Sequence, residues 1–148
     1  MSNVYFIIGK DLSYPERVFT EFHININGYC FPFDDWTDFS YNILATWTFS
    51  LLESTYTPRE IDLPFFDGSY SIKATVDNKS NIILKGMSGN SVVCKCHTTV
   101  NEFLKEIRYA FRQLSDIVYS SETYSKCQQC IADIECNTQK IDQALKSK

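Results

Sequence analysis

The chain is poor in the residues from which most site chemistry is built. It has two histidines, His23 and His97, among 148 residues. Its five glycines are scattered, so no Gly-rich phosphate loop is present. There is no HExxH, and no Ser-His-Asp or Cys-His order is recognisable. No apolar run approaches ~20 residues, so no segment is expected to cross a membrane. The start, MSNVYFIIGK, lacks a basic n-region and a small-residue cleavage site, so no signal peptide is expected. The expected location is therefore the cytosol, with the six cysteines reduced. A basic surplus is lacking too. The net charge is −4, which argues against a general nucleic-acid binder.

What is present is the composition of an ordinary globular chain. Hydrophobic residues make up 44% and charged residues 22%, and the length fits one domain, residues 1–148, with a core that needs no disulfides. Aromatics reach 15%, enough to fill a core and also to line a binding surface. Charge is uneven. Residues 1–77 carry eleven acids and four bases, whereas residues 78–148 carry seven acids and ten bases. An acidic front half would steer a basic partner, and a plain solvated surface accounts for the charge equally well.

Val4 to Ile8 is a candidate strand, and Lys10 to Arg17 reads as a loop. From Val18 to Ile26, Val18, Thr20, Phe22, Ile24 and Ile26 alternate with Phe19, Glu21, His23 and Asn25. That period of two predicts a strand with one wet face. Asn27-Gly28 is the favoured hairpin dipeptide, and Tyr29 to Phe31 a short return strand ended by Pro32. Asp34 or Asp35 is then expected to cap a helix, with Asp38 in its first turn. Trp36, Phe39, Ile43, Leu44, Trp47 and Leu51 give that helix one apolar face, ending near Ser54. A meander follows over Ile61–Phe66, Tyr70–Val76, Ile82–Met87 and Ser91–His97, linked by turns at Asp67-Gly68, Asp77–Ser80 and Ser88–Asn90.

At Thr99 the period changes. Thr99 and Glu102 form a capping-box pattern. Val100, Phe103, Leu104, Ile107, Phe111, Leu114 and Val118 stripe one helix, and Ser120-Ser121 interrupts it. Tyr124, Cys127, Ile131, Ile134, Thr138, Ile141 and Leu145 stripe a second. The expected fold is α+β: a mainly antiparallel sheet of about five or six strands, one early helix and a C-terminal helical hairpin.

Three constellations could carry chemistry. Cys94 and Cys96 with Cys127 and Cys130, joined by Cys30 and Cys136, could be drawn as a zinc site. But CxC on a strand is not a zinc knuckle, and Cys127 and Cys130 fall on an apolar stripe, so buried thiols are the better reading and no cofactor is expected. A redox CxxC would sit at a helix start after a strand, which this one does not. Lys105, Arg108 and Arg112 line one side of a helix, as a solvated face would. The carboxylates Asp34, Asp35, Asp38, Glu60, Asp62 and Asp67 could cap, dock a basic partner or catalyse, in that order of preference.

FHININGYCFPFDDWTDFSYNILATWTFSLL followed by LPFFDGSYSIKATV resembles bacterial immunity proteins of contact-dependent inhibition and polymorphic toxin systems. The resemblance rests on Asn27, Gly28, Trp36, Asp38, Phe39, Trp47, Phe66, Asp67, Gly68 and Tyr70, and spans roughly residues 18 to 76. It implies a cytosolic protein, not an enzyme, that binds one cognate toxin C-terminal domain, of the nuclease kind, and occludes its active site or docking surface. The six carboxylates named above would be the toxin-binding candidates. A small metal-stabilised adaptor, an enzyme of unrecognised type and a homo-oligomeric structural domain are the competing classes.

Overall fold

The structure, a computed structural model, describes residues 3–12, 17–53, 58–120 and 128–146. In chain order the elements are β1 (Val4–Asp11), β2 (Thr20–Ile26), β3 (Tyr29–Phe31), β4 (Thr37–Asp38) and α1 (Ser40–Glu53). After these come β5 (Arg59–Pro64), β6 (Tyr70–Val76), β7 (Asn81–Ser88), β8 (Ser91–Thr99), α2 (Val100–Ser120) and α3 (Gln128–Lys146). The class is α+β, as the sequence implies. The strands form two antiparallel sheets, however, and there are eight of them among the described residues rather than five or six.

In the first sheet β2 is central. β1 pairs with one of its edges, while β3 and β4 share the other end to end. The β2–β3 hairpin turns at Asn27 and Gly28, whose φ of 53° and 93° are the positive values that made Asn-Gly legible as a turn. The second sheet is the meander β5-β6-β7-β8. Helix α1 carries the chain from the first sheet to the second, and among the described residues no ladder joins the two.

The sheets and helices meet in one cluster of buried side chains. Trp47 of α1 lies at its centre, with ring centroids 6.0 Å from Phe6, 6.4 Å from Phe22 and 5.3 Å from Phe65. Its indole N–H donates to the Pro64 carbonyl at 2.8 Å, which satisfies the one polar atom of a fully buried ring. Phe31 of β3 reaches the second sheet at Gly86, where an added Cβ would lie 2.9 Å from its ring. α2 covers β1, with Phe6 and Phe103 stacked at 6.1 Å. α2 and α3 pack antiparallel, as the Arg108–Asp142 ion pair and the Tyr119 hydroxyl donating to Glu135 require. The start of α2 is capped as its sequence suggests, with the Glu102 N–H donating to Thr99 Oγ1 at 3.1 Å.

Three local expectations are corrected. α1 begins at Ser40, so Asp34 and Asp35 do not cap it, and no acid lies in its first turn. Trp36 and Phe39 precede the helix rather than striping it. The reason is tertiary: residues 37–38 pair with β2 at Thr20 and Glu21, and this pairing holds the backbone extended. His23 is not on a wet face. It is 5% exposed, because both faces of the central strand are covered. β1 runs on to Asp11, three residues beyond the apolar stretch, because β2 offers a partner to that point. Tyr124 and Cys127 lie outside the described residues.

Candidate functional site

The six carboxylates separate into three environments. Asp34 and Asp35 occupy the middle of a turn closed by the Trp36 N–H donating to the Phe33 carbonyl at 3.3 Å, and both are exposed. Asp67 is exposed in the β5–β6 turn, where its carboxylate accepts the Ser69 N–H at 3.0 Å. These two turns lie side by side. Tyr70, at the end of the second, meets Phe33 at 5.6 Å and Trp36 at 5.2 Å.

Asp38 lies beneath them and is 3% exposed. One of its oxygens accepts the Trp36 indole N–H at 2.9 Å and the Phe66 N–H at 3.3 Å. The other accepts the Phe39 N–H at 2.8 Å. A buried carboxylate holding three donors from two turns and a helix entry is a tie, and it has no free face for a partner. Glu60 and Asp62 point outward from β5, an edge strand of the second sheet, and Glu60 pairs with Lys73 at 3.7 Å. At ~3.3 Å per residue, Asp62 is ~13 Å and Glu60 ~20 Å along the chain from Phe66. Only Asp34, Asp35 and Asp67 therefore share one surface.

The sequence does not reveal what stands between those three acids. Phe33 is 49% and Phe66 69% exposed, and Trp36 is half-buried between them and the core. Phe66 packs edge-on against Phe39 at 4.9 Å, and the Arg17 guanidinium stands 5.3 Å from the Phe39 ring centroid. A groove of about 240 Å³ beside Phe66 runs between α1 and the end of β5, lined by Asn42, Ile43, Thr46 and Pro64. The only sequence signal for this aromatic surface was the pair of Phe-Asp steps at 33–34 and 66–67. Periodicity assigned Trp36 to a helix, which hid its neighbours.

The remaining candidates are placed as follows. His23 lies under the acidic turn with its Nδ1 buried and without a hydrogen-bond partner. Burial lowers its pKa from the ordinary 6.5, against the opposing pull of Asp34, Glu21 and Asp35. His97 is exposed on β8. Cys94 and Cys96 share the inner face of β8. Burial raises both thiols, Cys96 to about 11, so they stay protonated and behave as small apolar groups. Cys127 lies outside the described residues, as does the side chain of Cys130. Among the described residues no three His, Cys, Asp or Glu side chains gather as metal ligands. No described helix is long and apolar enough to cross a membrane. Comparison with known protein families, with curated proteins and with solved structures finds no match for this chain.

Proposed function

We propose that this chain is an immunity protein, which binds a cognate toxin domain of the nuclease kind in the cytoplasm and blocks its active site or docking surface, without chemistry of its own. The observation that carries the reading is the aromatic and acidic end: Phe33 and Phe66 exposed, Trp36 and Tyr70 behind them, and Asp34, Asp35 and Asp67 around the rim. Large rings at the centre of a contact supply most of its binding energy, while rim charges speed encounter and select the partner. Nuclease domains present basic substrate grooves, to which three carboxylates around an apolar centre are complementary. Asp38 serves this surface from below, by fixing Trp36 and the Phe66 backbone. Of the six acids, Asp34, Asp35 and Asp67 are the direct contacts, and Glu60 and Asp62 lie outside the footprint.

The test uses the C-terminal domain of a secreted toxin encoded beside this chain. The two should co-purify as a stoichiometric complex, and the chain should restore growth to cells making the toxin. The Phe33→Ala/Phe66→Ala variant should keep its circular dichroism spectrum and lose both properties. Failure of the unaltered chain to protect cells would overturn the immunity reading. Equal binding by the double variant would move the interface elsewhere.

A further inference from the structure

The turn that presents Phe33, Asp34 and Asp35 is fixed to β2 on both sides of one buried histidine. Phe31, at the end of β3, pairs with Ile24, and Thr37, at the start of β4, pairs with Glu21. Between those two pairs β2 contributes only Phe22 and His23, whereas the other side contributes residues 32–36. The longer side has to bow away from the strand. Its far end is pinned where the Phe22 N–H donates to the Trp36 carbonyl at 2.9 Å. His23 therefore lies where the bowed segment leaves the strand.

Phe22 and Ile24 are core residues, so alternation turns the His23 ring to the opposite face, with Glu21 and Asn25. The ring is buried all the same, and it is an exception among its kind. Of the six buried polar residues, Thr20, Asn25, Asp38, Ser40 and Thr48 have hydrogen-bonded side chains, whereas His23 Nδ1 has no partner. The charged groups that act on the ring are Asp34 and Asp35 of the turn and Glu21 of its own strand, Asp34 most strongly. The facing residue of β1 is apolar Ile7. Among the described residues none of the three acids is in an ion pair. Glu21 is held by the β2–β4 ladder and lies against Gly9, while Asp34 and Asp35 are exposed in the middle of the turn.

In a neutral imidazole one nitrogen is an acceptor, and in the protonated ring both are donors. A cationic donor left buried without an acceptor is costly. A proton therefore enters this site most readily when a carboxylate comes to meet it. We propose that His23 and the 32–36 segment form a pH-sensitive device: on acidification the ring takes up a proton and draws the Asp34 carboxylate from solvent onto it, which reshapes the turn that presents Phe33. At neutral pH the ring is uncharged, and the turn holds the arrangement described above. The device involves no partner. Only its consequence, a toxin contact weakened by acid, rests on the immunity reading.

The test is nuclear magnetic resonance of the full chain without any partner, titrated from about pH 7.5 to about pH 5. The His23 ring resonances and the backbone amides of Asp34, Asp35 and Trp36 should move together, with one shared midpoint below the ordinary 6.5. In His23→Phe the amide movement should vanish from that range, leaving only carboxylate titration near about pH 4. In Asp34→Asn, an exposed change that leaves the core untouched, the ring should titrate at a lower pH and the turn amides should stay still. A ring that titrates beside a motionless turn would overturn the proposal. So would amide movement that survives in His23→Phe, a ring midpoint unchanged in Asp34→Asn, or a ring that stays neutral until the chain unfolds. Because no toxin is present, failure here leaves the immunity reading standing, and failure of that reading leaves the device standing.

Discussion

Asp38 shows how much one side chain can organise. It is buried, accepts three hydrogen bonds, and ties the entry of α1 to both turns of the aromatic end. Asp38→Ala would leave the Trp36, Phe39 and Phe66 N–H groups without that acceptor. The expected loss is about 3 kcal/mol in urea unfolding, since each abandoned buried donor costs about 1–3 kcal/mol and water recovers part of it. A loss below about 1 kcal/mol would mean that the carboxylate is not the tie described. His23 makes the second prediction. Its folded pKa lies below the ordinary 6.5, so below that value the unfolded chain takes up a proton that the folded chain refuses. Stability is therefore complete above the unfolded value and falls as pH drops from 6.5 toward the folded pKa. His23→Phe should flatten the urea midpoint over that window, and an unchanged slope would assign the pH dependence to other groups. Among the thiols, alkylation of the native protein should mark exposed Cys136 and spare buried Cys96 until the chain is unfolded.

At the scale of elements, the close approach of the two sheets depends on Gly86. A Cβ there would run into Cys94 Sγ of the neighbouring strand and the Phe31 ring of the other sheet. Gly86→Ala is expected to cost about 1–3 kcal/mol by overpacking, seen as a lower thermal midpoint, and Cys94→Ala in the same chain should recover part of it. A neutral Gly86→Ala would show that the sheets can separate freely. Most elements were legible from period and turn chemistry. The period of two found β2 and β6, Asn27-Gly28 found the first hairpin, and Thr99 with Glu102 found the start of α2. The β4–α1 junction was not legible, because Asp34-Asp35-Trp36 carries a good local signal for a helix start. Strand pairing of residues 37–38 with β2 overrides that signal, and such pairing comes from a segment some seventeen residues earlier in the chain. The wet face assigned to His23 failed for a related reason. Alternation reports only that two faces differ in polarity, and a central strand can have both covered.

At the scale of the whole molecule, the arrangement of charge governs association. The acidic trio stands on the turns at 33–36 and 67–70, while the outer face of the second sheet sets Lys73, Lys85 and Lys95 side by side. If Asp34, Asp35 and Asp67 steer a basic toxin domain, the association rate should fall about tenfold or more between low and physiological salt. Asp34→Lys/Asp35→Lys/Asp67→Lys should slow association with little change in unfolding midpoint, whereas Phe33→Ala/Phe66→Ala should chiefly speed dissociation. Stopped-flow measurement separates the two. A salt-independent rate would remove steering from the account.

By itself the sequence determined the α+β class, most element positions, the helical hairpin and the acidic bias of the front half. These follow from local periodicity, turn residues and composition, which act within a few residues of chain. The tertiary structure alone decided that the strands divide into two sheets, that α1 starts at Ser40, and that the six carboxylates divide into an exposed trio, a buried tie and an edge-strand pair. It alone brought Phe33 beside Tyr70 and set three lysines in one row. Those outcomes depend on pairing and register between segments far apart in the chain, and residue order alone carries little trace of them.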